Sequence, residues 1–148
     1  MSKFMKLAFE QAYLALEKGE LPVGAVVVGG GEVLGRAYNL TLTTSNPIAH
    51  AEMLAIQRSA KTIGDWRLSG CSIYVTLEPC PMCTGAILLS RISDIHFSAY
   101  DHKDGACGST MNLAVHPIFG HRARIHHESG GEESSQLIRE FFRRRREK

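Results

Sequence analysis

Residues 71–89 read CSIYVTLEPCPMCTGAILL, and this stretch decides the class of fold. Cys71 to Leu77 is rich in β-branched and aromatic side chains, the composition of a strand. After Glu78 and Pro79 the pattern changes to PMCTGAILL, a nearly all-apolar run. Pro81 falls in the first turn of that run, where a helix has N–H groups to spare and tolerates proline best. A strand feeding straight into a helix is the unit of layered α/β architecture. Because the helix is apolar nearly all round, it is expected to be buried on most sides.

The alternation continues outward. Residues 3–18 carry Phe4, Leu7, Ala8, Ala12, Ala15 and Leu16 among charges, an amphipathic helix ending at Gly19. VGAVVVGGGEVLGRAYN predicts two strands, about 24–28 and 33–39, joined by a turn at Gly29-Gly30-Gly31. A polar loop leads to a helix from His50 to Thr62, for which Gly64 is the stop signal. IHFSAY (95–100) is another strand, a glycine-punctuated loop covers about 101–122, and ARIHH (123–127) is a shorter strand. A final basic helix at about 133–146 carries Leu137, Ile138, Phe141 and Phe142 on one side. Helices covering a mixed sheet follow, in one domain spanning residues 1–148 with no repeat or linker.

Composition bounds the function. With 148 residues, 44% hydrophobic, the chain is long enough for a substantial core. Its start, MSKFMKLAFEQAYLALEKGE, interleaves charge with apolar residues and so lacks the core of a signal peptide. No stretch is apolar and long enough to span a bilayer. The expectation is a soluble, cytoplasmic protein with no membrane partner. The formal charge of +2 conceals an asymmetry: from Arg139 onward there are six basic and two acidic residues, a local net of +4 on a body of −2. Such a tail is either a phosphate-binding surface or a solvated helix face.

The chemistry centres on cysteines. Cys80 and Cys83 are three residues apart, one helical turn, as neighbouring ligands to one metal must be. A third ligand is needed, and PIAHAEMLAIQ (47–57) offers His50 together with Glu52 at the entrance to an apolar helical run. A carboxylate is costly to bury without a partner, so the pair asks for a chemical role. Helix entrances present unpaired N–H groups and partial positive charge, which favour the metal-binding thiolate. Zinc held by three protein ligands keeps a position for water, the catalytic arrangement. Glu52 would then take and deliver the proton of that water. Two alternatives concern the other cysteines: Cys71 and Cys107 join Cys80 and Cys83 in a four-cysteine structural site, or they are separate buried thiols.

His50-Ala51-Glu52 followed by Pro79-Cys80-Pro81-Met82-Cys83 resembles the zinc signature of the cytidine deaminase superfamily. LPVGAVVV, Asn39, VTLEPCPMCTGAILLSRI, the DHKDGACGS loop and FFRRRR together resemble the bacterial tRNA-specific adenosine deaminases, from first helix to last. The resemblance implies a three-layer α/β/α, cytidine-deaminase-like fold around a mixed sheet of about five strands. It implies one Zn2+ per chain on His50, Cys80 and Cys83, with Glu52 as the catalytic proton shuttle. It places Asn39 and the backbone around Ala51 against a flipped base, and Asp101, Lys103, Phe142 and Arg146 near a tRNA anticodon stem-loop. The implied reaction turns wobble adenosine into inosine, in a homodimer.

Departures from the family lie outside the zinc signature. Asn46-Pro47-Ile48-Ala49 stands where Asp-Pro-Thr-Ala is commoner, Cys107 where alanine is usual, and Tyr100 and Asp104 where an arginine and a neutral residue are expected. Simpler roles stand beside the implied ones. Asn39 closes a strand turn, Phe141 or Phe142 packs in the core, and Asp101 and Lys103 are solvated loop residues. The arginines attract phosphate without reading sequence. For the whole chain the alternatives are a free-base or nucleotide deaminase with the same zinc chemistry, and a non-catalytic RNA-binding protein with structural zinc.

Overall fold

A computed structural model describes residues 1–147; Lys148, counted above with the basic tail, lies outside the described residues. The elements run α1 (Lys3–Glu17), β1 (Gly24–Gly29), β2 (Glu32–Tyr38), α2 (Ala51–Ile63), β3 (Ser72–Leu77), α3 (Pro81–Leu89), β4 (Asp94–Ala99), a 3₁₀ turn at Leu113–Val115, β5 (Arg124–His127) and α4 (Gly131–Arg146). The strands form one mixed sheet in the order β2-β1-β3-β4-β5. β1 is antiparallel to both β2 and β3, while β4 is parallel to β3 and to β5.

Side-chain alternation along the strands sorts the core into two halves. Val26 and Val28 of β1 and Tyr74 of β3 face the stripe of α1 (Met5, Ala8, Phe9, Ala12) and Leu137 and Phe141 of α4. Their neighbours Ala25, Val27, Ile73 and Val75 face Ala51 and Ala55 of α2 and Ile87 and Leu88 of α3. The sheet is therefore the middle layer of three. Gly24 lets α1 lie directly on β1, since a Cβ there would come within 1.9 Å of the Ala8 carbonyl oxygen.

The β1–β2 turn is shorter than the three glycines predict. Gly29 pairs with Glu32, leaving only Gly30 and Gly31 in the turn, with φ of 59° and 78°. Positive φ at both central residues is what a two-residue turn of right hairpin twist requires. β4 begins one residue earlier than expected and ends at Ala99, so Tyr100 leaves the sheet.

The expected burial of α3 on most sides is corrected. Cys83, Thr84, Ile87 and Leu88 face inward, but Met82 is exposed and Leu89 is 64% exposed. Hydropathy reports an apolar surface without saying whether the same chain covers it, and here no described element covers that side. No helix among the described residues is long and apolar enough to cross a membrane.

One edge of the sheet collects the loops. The pairs Gly24↔Tyr38 and Leu77↔Ala99 put the start of β1 and the ends of β2, β3 and β4 together. In open α/β sheets this carboxyl edge is where ligands bind.

Candidate active site

His50 is the N-cap of α2 and Cys80 the N-cap of α3, both with extended backbone, and neither uses its side chain to cap its helix. An N-cap side chain usually accepts from the free N–H groups of the first turn. These two instead meet each other. His50 Nδ1 lies 3.7 Å from Cys80 Sγ and 3.4 Å from Cys83 Sγ, and the three ligand atoms all lie within 4.8 Å of one another. Tetrahedral zinc with its usual Zn–N and Zn–S bonds requires N···S separations of about 3.6 Å, so both spacing and donor set fit that ion. Cys71 and Cys107 are free, buried thiols elsewhere; Cys107 Sγ is 3.4 Å from Thr84 Oγ1. The four-cysteine arrangement is thereby excluded.

Hydrogen bonds couple the three side chains. A hydrogen bond from Cys83, aided by His50, holds the Cys80 thiol down to about 4 against the opposing effect of burial. Donating that bond, together with burial, pushes the Cys83 thiol far up. The hydrogen bond to Cys80 raises His50. A bound cation requires deprotonated thiols, and Cys80 is held toward that form.

Glu52, the second residue of α2 and 5% exposed, lines the same cavity as His50, Cys80 and Asn39, a space of about 140 Å³. Residues two apart on a helix diverge, but His50 sits before the first helical turn, so both side chains reach one centre. Burial pushes the Glu52 carboxyl up. A buried carboxyl with a raised affinity for protons, beside a group of side chains that could hold a metal, is suited to carrying them.

Two further buried carboxylates, Glu20 and Glu78, anchor the loops beside the cavity. Asn39, just past β2, donates from Nδ2 to Thr41 Oγ1 (3.1 Å) and to Glu20 Oε1 (3.5 Å). Its nitrogen must face the carboxylate, which leaves the carbonyl Oδ1 as its acceptor for a ligand. Glu20 also accepts the N–H groups of Leu42 (3.1 Å) and Thr43. Opposite, Glu78 accepts the N–H groups of Asp101 (3.2 Å), Cys107 (3.0 Å) and Ser109 (3.1 Å), and the Ser109 hydroxyl. A Cβ on Gly105 would lie 2.4 Å from that carboxylate, so the loop is wrapped closely around it. Glu78→Ala strands three N–H donors, and a loss of about 3 kcal/mol is expected. The measurement is the urea midpoint, with faster proteolysis between residues 101 and 110; an unchanged midpoint would show that the carboxylate is not the loop's anchor.

The other predicted residues divide. Ala51 is buried beside Glu52 and lines the cavity. Asp101 also lines it, with Oδ1 accepting from the backbone of Lys103 (3.1 Å) and Asp104 (3.0 Å). Asp101, Lys103 and Phe142 border an adjoining groove of about 550 Å³. Phe141 packs in the core while Phe142 is 50% exposed. Arg146 is exposed and borders none of these spaces. Arg145 borders a third space of about 290 Å³, beside Asn39, His50 and Phe142, with its guanidinium over the inward-turned Phe141 ring, 5.5 Å from the centroid. Glu20, Glu78, Leu21 and Arg145 are site residues the sequence reading missed. Glu78 carried a signal, a carboxylate between an apolar strand and Pro79-Cys80; Glu20 carried none, since its partners are loop amides about twenty residues away.

Residues 1–146 match the family model for MafB19-like deaminases. The chain is 48% identical to the tRNA-specific adenosine deaminase of Bacillus subtilis (strain 168), covering 98% of this chain and 90% of that one. It is 44% identical to the enzyme of the same name from Aquifex aeolicus, covering 97% and 94%. Among solved structures, one from work on A-to-I editing by tRNA:A34 deaminases is 37% identical with a TM-score of 0.87, covering 90% of this chain and 97% of that one. A guanine deaminase from Bacillus subtilis is 36% identical with a TM-score of 0.63, covering 68% and 66%.

Proposed function

The chain belongs to the MafB19-like deaminase family, with tRNA-specific adenosine deaminases as near-full-length relatives, and from that premise we propose that it converts the wobble adenosine of a tRNA anticodon into inosine. The observation that carries the reading is the meeting of His50, Cys80 and Cys83 at a cavity that also holds buried Glu52. His50, Cys80 and Cys83 would hold one Zn2+, which when bound supplies the Lewis acidity that brings deprotonation of a coordinated water to about pH 7.

Glu52 accepts a proton from the attacking water and returns it to N1 of the adenine as the water oxygen bonds to C6. It then carries the remaining hydroxyl proton to the amino nitrogen, the C6–N6 bond breaks, and ammonia leaves with inosine as product. Burial suits Glu52 to both transfers by favouring its protonated form. Asn39 Oδ1 and the amide backbone at Ala51 orient the base. Asp101, Lys103 and Phe142 line the path of the loop, and Arg145 with the outer Arg146 draws in phosphate. An adenosine from a single-stranded anticodon loop reaches the cavity at an unstacking cost of only a few kcal/mol.

The whole chain acts as one deaminase domain, in the cytoplasm where its tRNA substrate is found, and as a homodimer. Support for the dimer is the apolar side of α3 left open at Met82 and Leu89. A free-base deaminase would share the chemistry, but a small base needs no arginine-bearing aromatic helix beside the cavity. The test is incubation of the purified chain with an anticodon stem-loop bearing a wobble adenosine, in parallel with free guanine, cytosine and deoxycytidylate. Inosine in the stem-loop is the expected product; product from the free compounds alone would overturn the reading.

A further inference from the structure

We propose that Tyr100, with His102, forms a stacking subsite for the nucleobase next to the one that enters the cavity. The proposal rests on the substrate being the RNA strand argued above. Tyr100 is the first residue past β4 and is 51% exposed, yet its ring is held firmly. Phe97 meets it edge-on at 5.4 Å and 79°, and His127 stacks on it at 4.5 Å and 13°. His102 stands nearly parallel at 6.2 Å and 25°. A flat aromatic surface fixed before the ligand arrives loses little entropy on binding, and every base offers it a π-face.

Its location argues for a neighbouring base. Tyr100 lines the groove of about 550 Å³, which shares Leu21, Leu77, Asp101 and Asp104 with the cavity of about 140 Å³. A strand with one base in the smaller space leads directly into the larger one, which has room for a further nucleotide. Charge points to a base there and not to a phosphate. Lys103 and Arg139 line the groove together with Asp101 and Asp104, and Arg139 is paired with Glu132 at 3.0 Å. The sign is mixed, in contrast to the arginine-rich last turn of α4.

The test measures inosine formation by the full chain with its metal, on anticodon stem-loops. Tyr100→Ala and Tyr100→Leu are expected to raise KM about tenfold with kcat unchanged, the leucine restoring bulk but no ring. Tyr100→Phe and Tyr100→Trp should stay near wild type. An abasic residue on either the 5′ or the 3′ side of the adenosine should raise the wild-type KM similarly at one of the two positions. At that position Tyr100→Ala should add nothing further. An unchanged KM in Tyr100→Ala, or losses that multiply at both positions, would overturn the subsite while leaving the deaminase reading standing. A wild-type chain that makes no inosine from any stem-loop would overturn that reading and the subsite with it.

Discussion

Glutamine in place of Glu52 is expected to lower kcat for inosine formation by about 10²- to 10⁴-fold, with zinc content and KM close to wild type. Glutamine keeps the size and one acceptor oxygen of the side chain but cannot take up and release a proton. Binding of the stem-loop therefore survives while both proton transfers at the base are lost. Glu52 is 5% exposed, and its neutral replacement relieves a burial cost, so the melting temperature is expected to hold or rise. Equal turnover by the variant would remove Glu52 from the mechanism. Loss of zinc along with activity would make it part of the metal's support.

Cys83→Ala is expected to abolish both stoichiometric zinc and measurable deamination, an effect larger than that of Glu52. Cys83 is buried at the first turn of α3, and no described cysteine elsewhere stands near enough to replace it. His50 and Cys80 alone would leave two ligands, too few for a closed three-residue site. A strong chelator applied to the unmodified chain should reproduce the loss, and added zinc should restore activity there but not in the variant. Because ligating thiols must be deprotonated, zinc returned to the metal-free chain is expected to release protons into a weakly buffered solution. Retained zinc at one ion per chain in Cys83→Ala would refute the ligand assignment.

These expectations trace back unevenly to the sequence. The spacing of Cys80 and Cys83 was enough to propose a shared metal, since i and i+3 lie on one face of any helix. Residue type and a position at a helix entrance point to His50, and the structure brings its Nδ1 to within 3.4 Å of Cys83 Sγ. Phe141 and Phe142 were indistinguishable as neighbours on one stripe; packing against α1 chose Phe141 for the core and left Phe142 at the grooves. The resemblance names Arg146, whereas the structure turns Arg145 toward Asn39 and His50, its guanidinium over the Phe141 ring. Hydropathy overstated the burial of α3, because it cannot tell a face covered by the same chain from one left open.

By itself, then, the sequence determined the order of helices and strands and the chemistry of the ligand set, since periodicity, helix-entry signals and metal preference are local properties of the chain. Tertiary structure alone decided what surrounds that set. Glu20 grips loop 39–44 and Glu78 grips loop 101–110 through backbone amides twenty to thirty residues away, and Tyr100 is braced by His127 from β5. A backbone N–H carries no residue identity, and an aromatic stack formed across the sheet leaves no periodic trace, so these walls appear only once the chain has folded.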